Sequence, residues 1–209
     1  MTRPEPHLVG HDLHLWRGER ALFEGLRFDV AQGGCLQVTG PNGAGKTSLL
    51  RALCGLLPFE RGRVAWRGQD VRADRYAFHA DVAYLGHETG LKSDLDAVDN
   101  LYYEVGVRRA VDRGMAVAVL ERVGVGHVMH QDLRQMSAGQ KRRVAFARVL
   151  LSAAPLWLLD EPTSNLDAAG QALVSELIDA HLAAGGIAVV ATHQALRVRA
   201  DALQPLVLG

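Results

Sequence analysis

One short loop constrains this chain more than any other feature. Gly40, Pro41, Asn42, Gly43, Ala44, Gly45, Lys46 and Thr47 follow the spacing G-x-x-x-x-G-K-[ST], between an apolar run at 35–38 and a segment of helical pattern. Gly43 and Gly45 let the backbone wrap closely with its N–H groups turned inward, and the helix behind adds the positive end of its dipole. Phosphate oxygens placed there meet fixed donors. Lys46 brings a mobile positive charge, Thr47 a hydroxyl suited to ligating Mg²⁺, and Ser48 an auxiliary hydroxyl within reach of phosphate. A glycine turn that merely starts a helix is the bland alternative, but the strand and helix stand where a phosphate cradle requires them.

The apolar runs at 35–38, 156–159 and 187–191 lack polar alternation and end at turn residues, which predicts interior strands of a parallel sheet. Ligands of such sheets gather at the carboxyl ends of the strands. Gly40 onward, Asp160 with Glu161, and Thr192 with His193 are therefore expected to converge in one crevice. Residues 26–30 alternate apolar and polar, and 62–68 are bracketed by glycines, both patterns of half-exposed antiparallel strands. From about Asp94 to Leu151 the spacing becomes helical, through Leu95, Val98, Leu101 and Tyr102 and then Val117, Leu120 and Val123. With no internal repeat and 209 residues, one domain is expected.

Charge excludes some partners. Lysine plus arginine equals aspartate plus glutamate at 23 each, so no net positive field gathers a polyanion, and nucleic acid is not expected as a partner. The longest apolar stretch, from Val149 to Leu159, is broken by Ser152 and Pro155 and falls short of the roughly 18 residues a membrane span needs. Met1 to Pro6 lack an apolar core, so no secretory signal is expected and the chain should stay in the cytoplasm. Cys35 and Cys54 flank the glycine loop in apolar stretches and are expected to pack as small hydrophobes.

The second and third strand ends supply the remaining chemistry. Asp160 is placed to hold Mg²⁺ through water, while Glu161 points the other way along the strand and can polarise a water attacking the terminal phosphate. A carboxylate pair capping the next turn is the alternative. His193 can hydrogen-bond the terminal phosphate and orient Glu161 or the water, though a lone histidine ending a strand is usually a surface residue. Met136-Ser-Ala-Gly-Gln140 precedes a helical run at 141–151 and makes a second helix N-terminus ready for an anion, yet the chain has no second phosphate loop to offer it.

Taken together, the glycine loop, the M-S-A-G-Q segment and Leu159-Asp160-Glu161-Pro162 resemble the motif set of ABC ATPases, over nearly the whole chain. The resemblance implies an α/β P-loop NTPase fold of ABC type: a RecA-like parallel-sheet core at 1–86 and 152–209, an antiparallel β layer, and an inserted helical subdomain at 87–151. It implies ATP and Mg²⁺ as cofactors. It further implies a homodimer in which Ser137, Ala138, Gly139 and Gln140 of one copy close over ATP held by the glycine loop of the other. Ser164-Asn-Leu-Asp167 resembles the loop that runs along that interface, and Asp167 is equally an N-cap for a helix starting at Ala168.

Two positions depart from the family pattern. His87 stands where a glutamine usually contacts the terminal phosphate or the metal, with Glu88 beside it as a possible substitute. The aromatic that stacks on adenine normally directly precedes a glycine, whereas here Arg17 precedes Gly18 and Trp16 lies one residue away, so either could stack, or Trp16 could simply pack. Within the family, the stretch from Gly18 to Phe28, the Leu85-Gly86-His87 replacement and Ala191-Thr-His-Gln194 are similar to ATP-binding subunits serving haem delivery in bacterial cytochrome c maturation. That likeness implies an integral membrane permease of the same system as partner, a peripheral position on the cytoplasmic face of the inner membrane, and haem as an indirect partner. No residue announces haem binding, because the nine histidines are dispersed. An exporter ATPase for another substrate, and a soluble non-transport ABC ATPase, are the rival readings.

Overall fold

Alternate residues of the same apolar strands face two different cores, which explains why those strands carry no polar alternation. The structure, a computed structural model, describes residues 6–194 and 196–209. The expectation about a leader rests mainly on residues 1–5, which lie outside the described residues.

The chain opens with a hairpin of β1 (Pro6–Arg17) and β2 (Arg20–Ala31), then β3 (Cys35–Thr39), the glycine loop and α1 (Lys46–Leu53). Next come β4 (Arg61–Trp66), β5 (Gln69–Asp70), α2 (Arg75–Ala80) and β6 (Val82–Leu85). The middle holds α3 (Ala97–Gly106), α4 (Arg113–Arg122) and α5 (Ala138–Ser152). The chain closes with β7 (Leu156–Asp160), α6 (Ala168–Ala183), β8 (Ile187–Ala191) and β9 (Leu203–Val207). One sheet is parallel, in the order β6-β7-β8-β3-β9. The other is antiparallel, in the order β2-β1-β4-β5.

Leu36 and Val38 of β3, Leu158 of β7 and Val189 of β8 share one core with Leu49 and Leu50 of α1 and with Leu8, Leu13 and Val64 of the antiparallel layer. Cys35, Trp157, Leu159 and Val190 share the other with Leu101 of α3, Phe146 of α5 and Ile178 of α6. Every residue of β7 and β8 is buried. Each such leucine or valine contributes roughly 1.5–3 kcal/mol relative to exposure, so the sheet is held from both faces. Cys35 is fully buried and its thiol is pushed up to about 12 by that burial, which makes it a packing residue, as expected. Cys54 is only half-buried, and its Sγ donates to the carbonyl of Arg51 at 3.3 Å.

The helical pattern expected over 94–151 resolves into α3, α4 and α5, each started by a polar cap. Asp96 accepts from the N–H of Asp99 (2.7 Å) and Asp112 from that of Met115 (2.8 Å). Among the described residues no helix is long and apolar enough to cross a membrane.

Candidate functional site

The glycine loop leaves the start of α1 uncapped, although the N–H of Ala44 donates to the carbonyl of Pro41 (3.2 Å). Gly45 is the N-cap of α1 in the left-handed region (φ 100°), and among the described residues no side chain caps this end of the helix. A Cβ on Gly40 would fall 2.3 Å from the carbonyl oxygen of Leu208, so only glycine lets β3 turn beside the end of the chain. At Gly43 (φ 83°) the space a Cβ would occupy is open to 4 Å, leaving the backbone approachable. Lys46 is buried, and its Nζ donates to the carbonyls of Gly40 (2.8 Å) and Pro41 (3.1 Å). An ammonium has three N–H groups, so one remains for a ligand.

Two backbone bonds staple the strand ends around this loop. The N–H of Glu161 donates to the carbonyl of Ala191 (2.8 Å), and that of Thr192 to the carbonyl of Val38 (3.2 Å). The three segments predicted to converge do so, around a cavity of about 460 Å³. It is lined by Asn42, Gly43, Gly45, Lys46, Thr47 and Ser48 from the loop, by Asp160, Glu161 and Ser164 after β7, and by His193 and His87. That volume suits a small-molecule ligand.

The carboxylates are under-satisfied. Asp160 is 2% exposed and its Oδ2 has no hydrogen-bond partner among the described residues; Oε1 of Glu161 is likewise buried without one among them. Nε2 of His193 stands 3.6 Å from that Oε1. A buried carboxylate oxygen left unpaired costs several kcal/mol or neutralises, so a cation or ligand donor is what this arrangement calls for. The oxygen donors present, the Thr47 hydroxyl and the Asp160 carboxylate, fit a hard divalent ion such as Mg²⁺. Glu161 itself sits at φ 48°, a left-handed conformation uncommon for a side-chain-bearing residue, where the strand breaks into the following turn. His193 is positioned by a local turn in which Oγ1 of the fully buried Thr192 accepts from the N–H of Gln194 at 3.0 Å.

Other expected site residues lie elsewhere. Trp16 is exposed and outside the cavity lining, while Arg17 and Leu22, the latter unforeseen, line it. Gly40, Pro41 and Ala44 shape the loop without lining the cavity, and Glu88 is outside it too. Ser137, Gly139 and Gln140 do not line this chain's own cavity. Ser137 Oγ accepts from the N–H of Gln140 (3.2 Å) and Oε1 of Gln140 accepts from the N–H of Ser137 (2.8 Å), a reciprocal cap on α5. Gly139 is pressed against the interface-like loop, since a Cβ there would lie 2.8 Å from the carbonyl oxygen of Asn165. Asp167 caps α6 by accepting from the N–H of Gly170 (2.9 Å), a bond that, with Arg143, lowers its carboxyl below the usual range.

Sequence reasoning missed Arg142. It reads as one more charge on a predicted helix, yet it is 2% exposed and sends its guanidinium to the backbone beneath the site.

A phosphate loop fed by an inner parallel strand, a carboxylate pair at the end of the next strand but one, and a second, capped helix tip outside the cavity lining define an ATPase of the ATP-binding-cassette class. The chain belongs to the ABC transporter family, whose pattern matches residues 23–164. It is similar to the cytochrome c biogenesis ATP-binding export protein CcmA of Methylococcus capsulatus, at 46% identity over 93% of this chain and 94% of that protein. The protein of the same name from Nitrosospira multiformis is 41% identical over 97% of this chain and 99% of its own length. Among solved structures, an ABC transporter ATP-binding protein from Pyrococcus furiosus superposes with a TM-score of 0.83 at 24% identity, covering 95% of this chain and 96% of that one. The ATP-binding cassette MJ0796, solved as a dimer in a post-hydrolysis state with ADP and Pi, gives 0.78 at 22% identity, over 90% and 88%. These two likenesses establish the shared fold.

Proposed function

We propose that this chain is the ATP-hydrolysing subunit of a membrane export complex, and that the complex serves haem delivery in cytochrome c maturation. The observation that carries the ATPase reading is the buried, unpartnered oxygens of Asp160 and Glu161 facing one cavity with Lys46 and Thr47. The names and near-full-length coverage of the relatives support the haem assignment. In this reading the whole chain is one ATPase domain, with the core at 1–86 and 152–209 and the helical subdomain at 87–151. Its partners are a second copy and an integral permease that holds it at the cytoplasmic face of the inner membrane.

The residues divide the work as follows. The loop amides of Gly43 and Gly45 to Ser48 and the free N–H of Lys46 bind the phosphates, and the fixed donors require no reorganisation when charge shifts during transfer. Thr47 and Asp160 would hold Mg²⁺, which when bound neutralises phosphate charge and fixes phosphate orientation. Glu161 accepts the proton of the attacking water, and His193, half-exposed beside it, orients the water or the terminal phosphate. Ser137, Gly139 and Gln140 reach the nucleotide of the partner copy, which fits their absence from the lining of this chain's own cavity. His87 lines the cavity and takes the terminal-phosphate or metal contact, and Arg17 stacks on the base in place of Trp16.

The test is Glu161→Gln in the complex purified with its membrane partner. Hydrolysis should fall by roughly 100-fold or more while ATP still binds and a nucleotide-bound dimer accumulates on size exclusion. Normal turnover would remove Glu161 from the base role. For the haem assignment, the integral subunit that co-purifies from membranes is identified, and an unrelated permease would overturn that part alone.

A further inference from the structure

We infer that Arg142 is a positioning residue: its guanidinium fixes the backbone of Asp160 and Glu161, together with the loop carrying His87, to the helix that begins at Ser137. The inference rests on the nucleotide-site reading above and adds a residue to it.

The geometry is specific. Nη1 donates to the carbonyls of Gly86 (2.8 Å) and His87 (3.3 Å), and Nη2 to those of Asp160 and Glu161, the latter at 2.7 Å. One side chain therefore ties together two segments, one after β6 and the other at the end of β7. Every one of these acceptors is backbone, and Nε has no partner among the described residues. Burial pulls the guanidinium below its ordinary range, and the carboxylates of Asp160 and Glu161 pull it back. A buried cation without a bonded counter-ion is an expensive way to fill space, and an apolar side chain would fill it more cheaply. What an apolar side chain cannot do is hold four carbonyls in a fixed fork, the geometry in which arginine differs from lysine.

The anchored peptide needs holding. Glu161 sits in the left-handed region, and its Oε1 and Oδ2 of Asp160 accept no hydrogen bond among the described residues. With both carbonyls drawn toward α5, the carboxylates are left to the cavity. The neighbouring Arg143 reaches the other way, to the carbonyl of Val123 (3.2 Å) and to Asp167 (3.0 Å). Arg142 is thus the residue through which α5 bears on the water-activating carboxylate.

The experiment compares Arg142→Gln, Arg142→Lys and Arg148→Met with the natural chain in the purified complex. Arg148 lies on the same helix and pairs with Glu104 at 2.7 Å. For Arg142→Gln the expected result is a kcat lower by roughly 10- to 100-fold with ATP Kd and KM within about threefold, because a displacement of about 1 Å at the reacting groups suffices for that loss. Arg142→Lys, with one donor centre, should recover only part of the rate, and Arg148→Met should keep kcat. In a Glu161→Gln background, Arg142→Gln should cost less than about threefold, because both changes then act on one group. Full additivity there, an unchanged kcat, or loss of folding or ATP affinity in both Arg142 variants would overturn the inference. Normal turnover in Glu161→Gln alone would instead bring down the site reading beneath it.

Discussion

Two helix N-termini, α1 and α5, are both suited to bind an anion, and they are prepared in opposite ways. The start of α1 has a left-handed glycine as its N-cap and no side-chain cap, and it lines the cavity beside a buried lysine. The start of α5 carries a complete capping box between Ser137 and Gln140, with Ser137 and Ala138 exposed, and does not line the cavity. An uncapped helix end leaves its orphan N–H groups for a ligand, at a cost in helix stability of a few tenths of a kcal/mol for glycine against serine. The capped end needs no ligand to be stable, so it can wait in solvent as a preformed contact. Its serine need not surrender the cap on binding, because a hydroxyl that accepts from Gln140 N–H still has its own hydrogen to donate. In the function proposed above, one tip holds the nucleotide and the other meets it from the partner copy.

Lys46→Ala tests the first tip and carries the largest effect expected of changes to either tip. It removes the cation whose third N–H is unspent, and a charge-assisted contact is worth about 1.5–3 kcal/mol, so ATP affinity should fall by roughly 10- to 100-fold in equilibrium titration. Unchanged affinity would mean the nucleotide sits elsewhere. Ser137→Gly tests the second tip. Glycine caps nearly as well as serine, so unfolding should shift by only a few tenths of a kcal/mol, while ATP-driven dimerisation weakens by about tenfold. A fall in stability alone, with dimerisation intact, would reduce Ser137 to a cap.

How much of this was readable beforehand depended on where each residue's partners lie. The strands β3, β7 and β8 stood out because they are buried on both faces, and the residues following them converged as parallel-sheet logic requires. The antiparallel layer was harder. Strand β1 carries polar His11, Asp12 and His14 and several register shifts, and those shifts decide whether Trp16 or Arg17 faces the cavity. Strand β9 escaped notice because Pro205 reads as a strand breaker, a residue tolerated at an edge such as this one. Arg142 was invisible for a stronger reason. A helical period assigns charges to solvent, and its four acceptors lie near residues 86 and 160, far away in the chain.

The smallest effect separates the two halves of the α5 cap. Gln140→Ala deletes the bond from Ser137 N–H to Oε1 (2.8 Å) but leaves Ser137 Oγ to accept from the backbone N–H of residue 140 (3.2 Å). Half a capping box is worth about 0.5 kcal/mol, which for a domain of this size lowers Tm by about 1–2 °C in calorimetry without nucleotide. The same glutamine side chain is also proposed to meet the partner copy's nucleotide. Stabilisation by saturating ATP should therefore shrink in the variant beyond that 1–2 °C, because ligand-linked stability follows affinity for the folded state. If the deficit is identical with and without ATP, Gln140 serves its own helix and nothing across the interface, and the contrast between the two tips narrows to Ser137 and the glycine beside it.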